Sequence, residues 1–224
     1  DNSGINGTSA QISVGAAAAS QFSVLSSTSP IKVGTDRIIQ VRLEDQYQNA
    51  ISGSAVSFSL TSGGNGTFTG SNPATTNSNG VAEITYTAST DTSFSPDNIR
   101  ADYNSGSVIS DIAISLLPNN LSYYDLTLGT GPNMTAGVGQ TVTVTARDQY
   151  GNPVSNSDPI TISTTPSSSA SFTPSSGWAF AGSSTYQFTV SDTVVENFSI
   201  YVVNDGNSGI NGTSAQISVG AAAA

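Results

Sequence analysis

The sequence predicts an all-β protein: two tandem β-sandwich modules preceded by an extra strand that belongs to another module. Three observations predict it. Short runs alternate apolar and polar residues at every second position, turn-forming dipeptides separate those runs, and the chain repeats itself at two offsets. The longer repeat is without a mismatch: NSGINGTSAQISVGAAAA stands at residues 2–19 and again at 207–224, an offset of 205. The shorter one is diverged, with Asp45-Gln46-Tyr47 recurring as Asp148-Gln149-Tyr150, an offset of 103. Two related modules therefore form a unit, and the unit begins to repeat.

The elements follow in order. After the turn residue Gly34, Ile39, Val41 and Leu43 alternate with Gln40, Arg42 and Glu44, the pattern of a strand with one face buried. Further strands of the first module carry Val56, Phe58 and Leu60; Ala82, Ile84 and Tyr86; Ile99, Ala101 and Tyr103; then Ile112 and Ile114. In the second module Gly137 precedes Val142, Val144 and Ala146, and the later strands carry Ile160 and Ile162; Tyr186, Phe188 and Val190; Phe198, Ile200 and Val202; Ile217 and Val219. Asn65-Gly66, Asn79-Gly80, Asp205-Gly206 and Asn211-Gly212 read as turns between them. No run supports a helix of two turns; Ala16–Ala19 is too short to nucleate one alone. The predicted domains are 1–19, the last strand of a preceding repeat; 20–118, the first module; and 119–224, the second module, ending in its own copy of the 2–19 segment.

Composition narrows the function. The 224 residues include 5 Lys+Arg against 15 Asp+Glu, with no His and no Cys, for a net charge of -10. Imidazole- and thiol-based nucleophile systems and zinc sites are thereby excluded, as are disulfides. Five basic residues cannot track a phosphate backbone, so nucleic acid is not an expected partner. Charged residues are 9% of the chain, far below the usual figure of about 25%, and Ser and Thr fill the gap. Such a composition invites disorder, but the 8 Phe, 8 Tyr and many spaced Val and Ile supply a core. No apolar run approaches the length of about 18 residues that spans a bilayer, so membrane insertion within this segment is not expected.

Ala136-Gly137 followed by QTVTVTARDQYGNPV, its looser partner Val33-Gly34 before DRIIQVRLEDQYQNAIS, and Asn79-Gly80-Val81-Ala82 leading into an alternating strand resemble the bacterial immunoglobulin-like tandem repeats of invasin- and intimin-type surface proteins. The likeness covers nearly the whole chain. The first module departs from it at Gln48 and Ala50, where the second has Gly151 and Pro153. The resemblance implies immunoglobulin-like sandwiches in an exported, extracellular or cell-surface setting and implies no catalytic site.

Carboxylates are the remaining acid/base candidates. Glu44 and Asp45 are strand neighbours and point to opposite faces, which does not suit the facing carboxyl pair of a glycosidase. Acidic turn residues at module junctions suit calcium better, with Asp45, Asp97, Asp148 and Asp205 as weak candidates; no other cofactor is expected. Sequons begin at Asn6, Asn65, Asn120, Asn133, Asn197 and Asn211 as glycosylation candidates. The expected function is a non-enzymatic structural segment of an extracellular fibre, a stalk, adhesion or filament scaffold. Its expected partners are copies of itself end to end, joined by chain continuity or by strand complementation. The alternative is a carbohydrate-binding or adhesin module, or an accessory domain of a secreted hydrolase, in which Tyr123-Tyr124 or Trp178 would recognise surface glycans.

Overall fold

The structure, a computed structural model, describes residues 7, 9–61 and 63–222. The described chain is strands and loops, with a single 3₁₀ turn at Thr92–Phe94. The strands of the first module are β1 (Ala19–Val24), β2 (Ile31–Lys32), β3 (Asp36–Asp45), β4 (Ala55–Leu60), β5 (Thr67–Thr69), β6 (Ala74–Thr75), β7 (Val81–Thr87), β8 (Asp97–Tyr103) and β9 (Val108–Ile114). Then come β10 (Leu116–Leu117), β11 (Leu121–Leu128), β12 (Asn133–Thr135), β13 (Gln140–Asp148), β14 (Ile160–Thr165), β15 (Ser171–Thr173), β16 (Thr185–Ser191), β17 (Asn197–Asn204), β18 (Asn207–Thr213) and β19 (Ile217–Gly220). The chain divides into two compact units. One runs up to Ser89 and resumes at Pro96–Ser115; the other takes Thr90–Ser95 together with the residues from Leu116 onward.

The first unit is a sandwich of two four-stranded sheets, in the orders β1-β3-β7-β5 and β6-β4-β8-β9. Alternation explains the layer between them. Ile39, Val41 and Leu43 from one sheet and Val56, Phe58, Ile99, Ala101, Ile112 and Ile114 from the other turn inward, each at most 3% exposed, while their sequence neighbours, Glu44 apart, are half-buried or exposed. The second unit repeats the plan with sheets β11-β13-β16-β15 and β12-β19-β17-β14, to which β18 adds by pairing with β17. Val142, Val144, Phe188, Val190, Phe198, Ile200 and Val202 form its core.

Several elements depart from the sequence reading. The edge strands β1 and β11 carry no clean alternation, because each bulges where it meets the end of the next long strand, between Ala19 and Gln21 and between Leu121 and Tyr123. Asn211-Gly212 is not a turn: both residues lie inside β18, opposite Val203 and Val202. Gly212 is required there by close approach. A Cβ on it would meet the Tyr124 carbonyl oxygen and, at 2.8 Å, its carbon.

The closing peptide of the second unit is two strands with a bend between them. At the bend the Ser214 N–H donates to the Ile200 carbonyl and the Ser214 hydroxyl accepts from the Ile200 N–H, both at 2.9 Å. Beyond it β19 lies antiparallel to β17 and parallel to β12, with Ile217 0% and Val219 2% exposed. The N-terminal copy of the same peptide behaves differently. Its residues 9–18 form no strand, and Ile12 and Val14, the counterparts of Ile217 and Val219, are 83% and 90% exposed. At about 1.5–3 kcal/mol per buried aliphatic side chain, one copy has gained a contribution the other lacks.

This contrast gives an internal control. Ile217→Ala should destabilise the second module by about 2–5 kcal/mol, whereas Ile12→Ala in the identical peptide should leave stability within about 0.5 kcal/mol. Denaturant unfolding of the two variants beside the parent chain checks both.

Candidate assembly interface

At the end of the core strand of each unit, β3 or β13, stands the sequence Asp-Gln-Tyr-x-Asn. In the first unit the Asp45 carboxylate accepts from the backbone N–H of Tyr47 (2.8 Å) and Asn49 (2.9 Å) and from the Asn49 carboxamide (3.0 Å). Asp148 does the same with Tyr150 (2.9 Å), the Asn152 N–H (2.9 Å) and the Asn152 carboxamide (2.9 Å). Each carboxylate also binds the chain arriving at its module. Asp45 accepts from the Ala17 N–H and Asp148 from the Asn119 N–H, both at 2.8 Å. Short polar side chains bonding to a backbone two residues on are the usual makers of such turns.

The turn itself tolerates the divergence between modules. Its hydrogen bonds run from the Gln48 N–H to the Asp45 carbonyl and from the Gly151 N–H to the Asp148 carbonyl, both at 3.0 Å. Gln48 takes φ 66° where Gly151 takes φ 88°, so the first module holds a non-glycine residue in the left-handed region that costs glycine little. The Asn49 carboxamide above all, with backbone N–H groups of Ala17, Asn49 and Tyr47, holds Asp45 down at about 2 against burial. Burial is the largest influence on Asp148 and opposes its ionisation, yet its bonds to Asn152, Asn119 and Tyr150 outweigh it and leave the carboxyl below its ordinary range.

The calcium candidates do not gather. Among the described residues no three acidic side chains come together as a metal site. Asp45 and Asp148 are filled as above. Asp97, fully buried, accepts from the Tyr86 hydroxyl and from the Ser89 N–H (3.0 Å) and hydroxyl (2.9 Å), and Asp205 accepts from the Thr161 hydroxyl at 2.8 Å. Of the sequons, Asn6 lies outside the described residues. Asn65, Asn120, Asn133 and Asn197 are exposed, while Asn211 is half-buried and donates to the Ser208 carbonyl. Asn133 and Asn197 both lie opposite Ser218, from either side of β19, and so share one sheet face.

The aromatic candidates are mostly structural. Tyr124 is 3% exposed, stacks on Phe180 and accepts from the carboxamides of Asn156 (3.2 Å) and Asn204 (3.0 Å); sequence alone could not tell it from its neighbour Tyr123, which is 39% exposed. Trp178 is half-buried, edge-on to Phe172, with its indole N–H donating to the Pro174 carbonyl at 2.8 Å. It anchors the core margin. Glu44, expected to face away from Asp45 and outward, is 3% exposed, because β1 crosses it: Arg42 pairs with it at 2.8 Å and Gln21 and Ser23 donate to it.

The fold and its turns define the class of protein. Residues 9–116 match the family model described as bacterial Ig-like domain (group 1), so the first module is a bacterial Ig-like domain and the expected family is met. Solved structures show the same fold at low identity. The chain is similar to FdeC, an Escherichia coli adhesin, with a TM-score of 0.51 and 20% identity, covering 91% of this chain and 66% of that one. It is also similar to the D00-D0 domain of intimin, with a TM-score of 0.53 and 13% identity, covering 88% of this chain and 98% of that one. No curated protein matches the sequence. Among the described residues no helix is long and apolar enough to cross a membrane.

Two outcomes are expected of the turns. Because the folded pKa of Asp45 is depressed from 3.8 to about 2, its stabilisation is present above the unfolded value and is lost as pH falls through about 2; thermal melts of Asp45→Asn should show a smaller loss over that acid range than the parent. Gln48→Gly should stabilise the first module by about 1 kcal/mol by relieving its positive φ, read as a raised denaturation midpoint.

Proposed function

We propose that this chain is a segment of a bacterial cell-surface fibre, a non-enzymatic stalk or adhesion scaffold in which Ig-like sandwiches follow one another along a tandem array. The observation that carries the reading is the repeated peptide: one copy closes the second module with Ile217 and Val219 buried, and the other stands before the first module with the same side chains in solvent. The same peptide is thus packed in one place and unpacked in the other, as expected where one repeat gives way to the next. Similarity to adhesin folds and the bacterial Ig-like family support the surface setting.

The second module is built to bear load along the chain. β12 lies near its start, β19 lies at its end, and the two run parallel in register from Asn133↔Ser218 to Thr135↔Gly220. Pulling the module by its ends drags these strands in opposite directions, so their bonds are loaded together rather than one by one. Two further bonds extend the pair, Ser218 N–H to the Pro132 carbonyl and Ala136 N–H to the Gly220 carbonyl, both at 2.8 Å. Chain continuity and strand complementation would both place a neighbouring copy at these ends, and continuity needs no exchange of strands.

Single-molecule pulling tests this. Each module should give a separate step releasing roughly 300 Å, as about 100 residues extend at about 3.3–3.6 Å each. Ala136→Pro, which removes a donor from the parallel pair, should lower the force of one step and leave the other unchanged. Extension without resolved steps would sink the load-bearing reading.

A further inference from the structure

The two Asp-Gln-Tyr-x-Asn turns differ in their cover: the second is covered and the first is bare. Within the second unit, the Asn152 carboxamide oxygen accepts from the Thr92 N–H at 2.9 Å and from its hydroxyl at 3.3 Å, and the Asn152 amide donates to the Thr90 carbonyl at 2.8 Å. Segment Thr90–Ser95 thus caps the turn, and Asn152 is 5% exposed. Asn49 makes the same bonds to Asp45 that Asn152 makes to Asp148. Beyond them, its carboxamide oxygen and second amide hydrogen have no partner among the described residues. Asn49 is exposed, and Tyr47 is 71% exposed against 43% for Tyr150. The part of the arrangement made by the incoming chain is complete, since the Ala17 N–H bonds Asp45 as the Asn119 N–H bonds Asp148.

The repeat says what should cover the bare turn. The residues ahead of Ala17 copy those that close the second module, so on the fibre reading a module ahead of them would be of the second kind. Thr90–Ser95 lies between β7 and β8; the segment in the same place of the second module, between β16 and β17, is 192–196. That loop is unfilled. Val194 and Val195 are 48% and 64% exposed, and the Thr193 and Val194 carbonyls and the Val195 N–H have no partner among the described residues. They are the types of group that Thr90 and Thr92 offer to Asn152.

We propose that Tyr47–Asn49 is a docking surface for the Asp192–Glu196 loop of a preceding copy of this chain's second module. The Asn49 carboxamide would bond the free backbone groups of the loop, and its two valines would cover the Tyr47 ring. The inference rests on the fibre reading and adds to it a specific contact that restrains one repeat against the next.

A tandem chain tests it, residues 1–224 followed by a second copy of 20–224, so that the shared peptide joins them. The sequence has no Cys, so Ser163→Cys in the upstream copy and Ser59→Cys in the downstream copy, both exposed positions, accept spin labels cleanly. Electron–electron distance measurement should give one narrow distribution. Asn49→Ala downstream should abolish it, and so should Val195→Ser upstream, which lies in a different module and cannot act by unfolding the Asn49 turn. A broad distribution in the parent tandem, or an unchanged width in either variant whose melt matches the parent, overturns the docking surface. Since the copies are covalently joined, that result leaves the fibre reading to the pulling experiment.

Discussion

A carboxylate at the end of a core strand organises each module. Asp45 and Asp148 each gather the N–H groups of their own turn together with one N–H of the incoming chain, Ala17 or Asn119. Removing such an acceptor would leave several part-buried donors unmatched at once, a larger loss than any one bond contributes. The bulge in the first strand of each unit, the bridge from Glu44 to Ala50 or from Arg147 to Pro153, and the path by which the chain reaches each sandwich all sit around this group. A module with so few charges can keep these carboxylates ionised because the Asn49 and Asn152 carboxamides first, and then backbone N–H groups, supply the opposing dipoles that lysine or arginine would otherwise provide.

The interior strands were readable because they obey one rule. Ile39, Val41 and Leu43 face a second sheet, so alternation in sequence became alternation in burial. The edge strands escaped because they do not share that constraint. β1 and β11 are half-exposed and bulged, and β18 carries glycines in place of side chains to read. A dipeptide such as Asn211-Gly212 has two causes with one spelling, a reversal of the chain or a backbone passing too near for a Cβ. Only the position of the Tyr124 carbonyl separates them.

For the interface, the Asp-Gln-Tyr turns were legible as turns, and the C-terminal copy of the repeat as the closing peptide of the second module. Their connection was not. The bond from Ala17 to Asp45 joins residues 28 apart, and the cap on Asn152 comes from Thr90 and Thr92, about 60 residues earlier; no local pattern encodes either. The placement of Trp178 was likewise hidden, because whether an indole N–H meets the Pro174 carbonyl or solvent depends on the turn that returns the chain.

Two identical peptides in one molecule also set a competition whose outcome can be reckoned. Trading the copy at 207–219 for one supplied by a neighbouring molecule changes no side chain in the slot, so affinity cannot choose between them. Proximity does. A tethered segment acts at an effective concentration of order millimolar, and a free competitor at micromolar levels is outnumbered by about a thousand to one. The second module therefore keeps its own end in dilute solution, and an exchanged copy would compete only where molecules are crowded to near-millimolar density.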